Sequence, residues 1–329
     1  MSTSPKPDAA TAPVTPHEEQ ADFLGNGFGE ARQACGEAVA AEPALPYVAY
    51  FSQGVFAFSS DLLGTGFAGR DALRQLGRRL AYLTGDLDRV LQEPRTGPLI
   101  RAVLQTEHGA VLCDTVVPRE CVVAVTRGVP GSSGTPLTDV APVNSADRAL
   151  SALVTRLRNR ISLPSLNHGG WESVGTAPAA AILDDEQPRV EEFDAVPDEL
   201  THAFRATVRP HALQYLAYYT EGDLVLEADH LGHPSLGPFF TQIAVDTRRT
   251  FYRVFGRELD RLARRLNRVI AGAEPGGLLR RLVLDVEQGA IYYYRLDVGT
   301  YLVGVTIDQS RVRDADTALA RLASTVVRG

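Results

Sequence analysis

The apolar and polar positions of the chain change period in a fixed order, and do so twice. Residues 47–64 (YVAYFSQGVFAFSSDLLG) are dense in Tyr, Phe and Val on either side of Ser52-Gln53-Gly54, and residues 215–232 (YLAYYTEGDLVLEADHLG) repeat that design around Thr220-Glu221-Gly222. Alternation interrupted by a short Gly turn predicts a β-hairpin. The period then becomes helical. Leu73, Leu76, Leu80, Leu83, Leu87 and Leu91 recur every three or four residues, and so do Phe251, Phe255, Leu259, Leu262, Leu266 and Ile270, so each stretch predicts a helix with one apolar face. Glu-Pro at 93–94 and 274–275, followed by Gly97 or Gly276-Gly277, stops both helices. Three strands are predicted next, at 279–287, 290–296 and 300–307 in the second half, with turns at Gly289 and Asp297-Val298-Gly299. A last helix begins near Ala146 or Asp314, and a shorter helical stretch precedes each hairpin, at roughly 18–40 and 198–208. The order α-β-β-α-β-β-β-α predicts an α+β unit, a five-stranded antiparallel sheet with flanking helices.

The two halves also match residue by residue. Tyr47/Tyr215, Ala49/Ala217, Tyr50/Tyr218, Gly54/Gly222, Asp61/Asp229, Leu63/Leu231 and Gly64/Gly232 are identical pairs in the hairpin blocks. GPLIRAVLQTEHGAVL (97–112) aligns without a gap to residues 277–292, with Glu107/Glu287, Gly109/Gly289 and Ala110/Ala290 among the identities. The match runs on to Val123, Val125 and Thr126 against Val303, Val305 and Thr306, and ends with ADRALSAL (146–153) against ADTALARL (315–322). Four blocks in one order read as a tandem duplication. The expected organisation is a disordered Ser/Thr/Pro/Ala tail over 1–16, a first unit over 17–161, a linker with an acidic second half over 162–197, and a second unit over 198–329.

Composition narrows the function classes. The chain has 329 residues and a formal charge of -7, which argues against wholesale binding to nucleic acid or an acidic membrane. No stretch reaches the roughly 18 apolar residues of a membrane span, and no apolar run follows Lys6, the single lysine, as a secretory signal requires. Three cysteines (Cys35, Cys113, Cys121) rule out a disulfide framework and fit a reducing, cytoplasmic setting.

The Gly-punctuated opening hairpin and the triple strand LLRRLVLDVEQGAIYYYRLDVGTYLVGVTID (278–308) resemble the roadblock/LC7 (dynein light chain) superfamily, in both copies. The resemblance implies domains that pair side by side, joining their sheets and packing their long central helices. It implies a non-catalytic adaptor or scaffold that binds and regulates small Ras-like GTPases, as the bacterial Mgl-type roadblock proteins do. The copies depart from the family pattern in a longer central helical region (234–270) and in a loop rich in Gly, Pro, Ser and Thr (128–144). Two fused copies hold each other at high effective concentration, so an intrachain pseudo-dimer is expected, with room for a homo-oligomer.

Candidate chemistry is sparse. Gly64-Thr65-Gly66-Phe67-Ala68-Gly69 fits G-x-G-x-x-G, but it follows a hairpin, and the second copy keeps the turn (Gly232 to Gly237) without the central Gly. A structural turn is the better reading, and no cofactor is expected. Asp229, His230 and His233 supply three candidate ligands with nothing that enforces convergence, so no metal is expected either. Cys113 and Cys121 correspond to Tyr293 and Tyr301, which reads as core packing. No local signature of a catalytic triad is present. One charged feature remains. Arg257, Arg261, Arg264 and Arg268 lie opposite the apolar stripe of the second central helix, with Arg248, Arg249, Arg253 and Arg265 nearby, and the first central helix carries a weaker set, Arg70, Arg74, Arg78, Arg79 and Arg89. The four arginines Arg257, Arg261, Arg264 and Arg268 are the expected partner-binding residues, for an acidic protein surface. The rival readings are a solvated helix face, a polyanion-binding module on the same arginines, and an enzyme or nucleotide sensor built on the Gly64–Gly69 turn.

Overall fold

The computed structural model describes residues 15–127, 141–172 and 187–328. Residues 1–14 of the tail, most of the 128–144 loop and the middle of the 162–197 linker lie outside the described residues. The architecture is α+β. In the first half the elements are β1 (His17–Gln20), α1 (Gly29–Ala41), β2 (Tyr47–Ser52), β3 (Val55–Asp61), α2 (Arg70–Leu91), β4 (Leu99–Thr106), β5 (Gly109–Val117), β6 (Glu120–Arg127) and α3 (Ala141–Arg160). In the second they are β7 (Arg189–Glu192), α4 (Asp198–Thr207), β8 (Tyr215–Thr220), β9 (Asp223–Asp229), α5 (Val245–Ile270), β10 (Leu279–Val286), β11 (Gly289–Asp297), β12 (Thr300–Thr306) and α6 (Val312–Arg328). All these strands join one twelve-stranded sheet in the order β1-β3-β2-β6-β5-β4-β10-β11-β12-β8-β9-β7. Every pairing is antiparallel.

The halves meet at β4 and β10, where Val103 pairs with Val283, the same position of the two aligned blocks. A local two-fold axis therefore passes through the centre of the sheet. Strand alternation sends neighbouring residues along each strand to opposite faces. Ala102, Leu104, Leu282 and Leu284 join the core under α2 and α5, while Val103 and Val283 join the core under α1, α3, α4 and α6. The hairpin turns are the tight kind that needs two residues at positive φ. Gln53 (51°) with Gly54 (76°) and Glu221 (53°) with Gly222 (88°) meet that need, Gly at no steric cost.

The central helices lie close on the sheet because each places a Gly over an aromatic ring. A Cβ on Gly77 would collide with the Phe51 ring, and one on Gly256 with the Tyr219 ring and hydroxyl. Phe51 and Tyr219 are matched positions of the hairpin blocks.

Among the described residues each half has six strands where the sequence pattern predicts five. The additional strands, HEEQ (β1) and RVEE (β7), have no apolar alternation to betray them. They form because β3 and β9 would otherwise present unpaired edges, and their charged residues suit a strand with one side open to solvent. For this reason the predicted helix at 18–40 begins only at Gly29. β7 likewise gives part of the expected linker a place in the sheet.

Candidate partner-binding face and central groove

α5 buries Arg248, Tyr252, Phe255, Gly256, Leu259, Ala263, Leu266 and Ile270, a single stripe along its length. Arg257, Arg261, Arg264 and Arg268 follow one another at i, i+4, i+7 and i+11 on the opposite side, and all four are exposed. The Arg261 side chain is 75% exposed and pairs with Glu258 at 2.5 Å, while Arg264 pairs with Asp260 at 3.3 Å. Such exposed pairs contribute about 0.3–0.5 kcal/mol each and leave the arginines within reach of a partner. Arg265 points toward α2, 3.9 Å from Asp86. α2 adds exposed Arg78 and Arg79, and the two helices also expose Tyr82, Val90 and Val254.

The arginines at the helix starts have different work, which charge counting along the sequence does not separate. Arg248 is fully buried, donates from Nε to the Pro94 carbonyl at 3.0 Å and lies over the Phe240 ring. Arg249 grips Asp229 through Nε (2.7 Å) and Nη2 (2.9 Å), and Arg70 grips the matched Asp61 through Nε and Nη2, both at 2.8 Å. Arg253 binds Glu227 at 2.8 Å and Glu191 at 2.7 Å, so the buried Glu227 carboxylate holds its guanidinium above the ordinary value against the cost of burial.

Arg70 also explains the G-x-G-x-x-G segment. Its Nη2 donates to the Gly64 carbonyl at 2.6 Å and its Nη1 to the Phe67 carbonyl at 3.1 Å. A pyrophosphate needs backbone N–H groups facing it. This turn offers carbonyls, already paired with a guanidinium. His233 accepts from the Ser235 N–H at 3.2 Å and so caps the short helical turn at Pro234–Phe240. Its ring meets His230 edge-on at 6.0 Å, and no group of three or more His, Cys, Asp or Glu among the described residues could hold a metal ion. Cys113 and Cys121 lie on the same face of β5 and β6, under α2, both buried and free. Contact with Cys121 and burial push the Cys113 thiol well up, and burial pushes Cys35 up to about 12, so neither is poised as a thiolate.

The most elaborate polar construction sits on the opposite face, over the two-fold axis. Arg101 on β4 donates from Nε (2.8 Å) and Nη2 (2.6 Å) to Asp147 of α3, and from Nη1 (2.7 Å) to Asp285 of β10. Burial alone would lower this guanidinium, but Asp147 and Asp285 outweigh it and hold it well above its ordinary value. Its counterpart Arg281 on β10 binds Asp316 of α6 through Nε (3.0 Å) and Nη2, and Gln105 of β4 through Nη1 (2.9 Å). Arg101 and Arg281, like Asp147 and Asp316, are identical pairs of the repeat. A short turn at His168–Gly170 enters the groove beside Arg101. Gly169 N–H donates to Asp285 (2.8 Å), Trp171 Nε1–H to Asp147 (3.0 Å), and the Ser151 hydroxyl to the His168 carbonyl (3.0 Å). His168 is fully buried, and burial lowers its pKa to about 3, so the ring is neutral. Beside this turn, between α3 and α6, lies a cavity of about 240 Å³.

Periodicity along the chain does not mark this groove. The available signal was an Arg identical in both copies within a predicted buried strand, and an Asp identical in both copies at the start of the last helix. A charge repeated at an inward position needs a buried partner. Nothing local marks Trp171 or His168, which enter the site from the segment read as a linker.

No family model matches the chain, and no curated protein matches it. Among solved structures, the gliding protein MglB from Thermus thermophilus is 17% identical, over 42% of this chain and 92% of that one, with a TM-score of 0.32. A second MglB structure, described as having a tetrameric arrangement, is 19% identical over 42% of this chain and 94% of that one, with a TM-score of 0.29.

Proposed function

We propose that the chain is a non-catalytic adaptor or regulator in which two fused roadblock-like units present one docking face, formed by α2 and α5. The observation that carries this reading is the solvent stripe Arg257, Arg261, Arg264 and Arg268, exposed along a helix whose other side is committed to the core. A cationic stripe on a rigid helix steers and orients an acidic protein surface. The roadblock/LC7 resemblance of the sequence supports a small Ras-like GTPase as that partner. The filling of the Gly64–Gly69 turn by Arg70 weighs against the nucleotide-sensing alternative.

The test is affinity capture from a native lysate of the source organism, run with GDP and with a non-hydrolysable GTP analogue. The bait is either the wild-type chain or the variant with all four arginines replaced by Glu. A GTP-binding protein captured by the wild type and lost with the variant supports the proposal. Capture that is the same with both baits, or that yields no GTP-binding protein, overturns it.

A further inference from the structure

The groove over β4 and β10 has two seats related by the match between the halves, and the described residues fill one of them. In the first seat Asp147, Asp285 and Ser151 hold the turn that carries His168, Gly169 and Trp171. The matched positions in the second seat are Asp316, Gln105 and Ala320. Among the described residues no turn enters that seat. The seat forms the 240 Å³ cavity, with Arg281, Tyr294, Asp316, Thr317 and Ala320 on one side and Gly169 and Trp171 of the filled seat on the other.

The two seats are an internal comparison, and they differ in their balance of acidic and basic side chains. The filled seat sets Arg101 and Arg148 against Asp147 and Asp285, with Asp114 beside them, its carboxyl pushed well up by burial. The open seat sets Arg281, Arg313 and Arg321 against Asp316, and the mutually paired Arg101 and Asp147 also line its cavity. Two acids have become Tyr294 and Gln105, while Asn144 and Ala152 have become Arg313 and Arg321. The changed residues face the cavity or bind what does. Arg313 and Arg321 line it, and Gln105 accepts from Arg281 at 2.9 Å. Arg281 is only 2% exposed and is held by Asp316 and Gln105 through three of its five N–H groups. Among the described residues neither Arg313 nor Arg321 has an ion pair, and Arg313 lies over the Trp171 ring at 5.8 Å. A concave site with a fixed guanidinium at its floor and two uncompensated guanidinium groups at its mouth suits an anion, through charge-assisted hydrogen bonds. Its volume falls just below the roughly 300–1,000 Å³ of drug-sized pockets, which limits the guest to metabolite size.

We propose that this cavity binds a small organic anion, a carboxylate or phosphate monoester, with Arg313 and Arg321 at the mouth and Arg281 at the floor. The site is on the sheet face opposite α5 and stands or falls independently of the docking proposal.

The experiment is calorimetric titration of the full chain with inorganic phosphate, phenyl phosphate and succinate, and with glucose as the neutral control. Saturable one-to-one binding of at least one anion, and none of glucose, is expected. Phosphate against succinate tells which anion class the site prefers. Replacing Arg313 and Arg321 by Gln should weaken binding at least about 10-fold. Replacing Arg257 and Arg261 by Gln, on the far face, should leave it unchanged. Three results overturn the proposal: no saturable binding at roughly ten times a millimolar Kd, equal weakening by both double variants, or binding of a synthetic peptide of residues 165–172 with which none of the anions competes. Unchanged melting of both variants shows that the comparison is between folded proteins.

Discussion

Replacing Arg101 by Met should damage the molecule far more than replacing Arg281 by Met, although the two arginines are matched positions of the repeat. The Arg101 side chain is 3% exposed, and it binds both Asp147 (3%) and Asp285 (0%) through three bonds of 2.6–2.8 Å. Removing it leaves two buried carboxylates without their cation. Breaking a buried ion pair from one side costs about 3–5 kcal/mol, a large share of the about 5–15 kcal/mol that keeps a domain folded. Arg281 leaves behind one carboxylate, Asp316, which is 16% exposed and still accepts from Tyr294 at 2.7 Å, together with a neutral amide, Gln105. That loss should cost about 1–3 kcal/mol. Urea unfolding followed by fluorescence measures both, because Trp171 is the only tryptophan and donates to Asp147 in this network. The deficit should also depend on pH. Without Arg101, burial raises the folded-state pKa of Asp285 further above its unfolded value, so the folded state binds more protons and loses stability as pH rises. The gap between Arg101→Met and the wild type should therefore be smaller at pH 5 than at pH 7. Equal costs for the two variants, or a gap that widens on acidification, would refute this account of the groove.

Two further outcomes are expected. His168 is neutral and buried with a pKa near 3 against an ordinary 6.5, so the unfolded chain binds the extra proton between those values and the wild type loses stability as pH falls through that window. His168→Gln should remove this loss, about 2 kcal/mol at pH 5, and a pH profile parallel to that of the wild type would count against it. Gly256→Val puts side-chain atoms into the Tyr219 ring and should cost about 1–3 kcal/mol by overpacking, measured by denaturation, with part of the loss recovered when Tyr219 is also replaced by Leu. Independent, additive losses would mean that the helix does not rest on that ring.

Period and repeat carried most of the fold into view. The leucine stripe of α2 and the mixed stripe of α5 mark the helices because burial against a sheet demands one apolar face. The hairpins are legible because their turns need Gly54 and Gly222. The edge strands β1 and β7 are not legible, since their pairing is dictated by the open edges of β3 and β9 and not by HEEQ or RVEE. Of the arginines on α5, Arg257, Arg261, Arg264 and Arg268 are placed on the exposed side by helical geometry alone. The inward turn of Arg248, Arg249 and Arg253 depends on Pro94, Asp229 and Glu227, which only folding brings near. The central groove escapes a local reading for the same reason. Arg101 and Asp285 are 184 positions apart and meet because β4 pairs with β10.

The proposed docking face is tested most directly by titrating a GTP-binding protein captured by the wild type, loaded with a GTP analogue, against the wild type and against the variant with Arg257, Arg261, Arg264 and Arg268 changed to Glu. All four side chains are exposed, so each substitution should shift stability by only about 0.5 kcal/mol, and melting should move little. Like charges facing each other across an interface cost several kcal/mol, and about 3 kcal/mol corresponds to a Kd more than about 100-fold weaker. A folded variant whose Kd rises by that factor is the predicted result. A folded variant that binds the partner with the wild-type Kd would contradict the claim that this helix face is where the protein does its work.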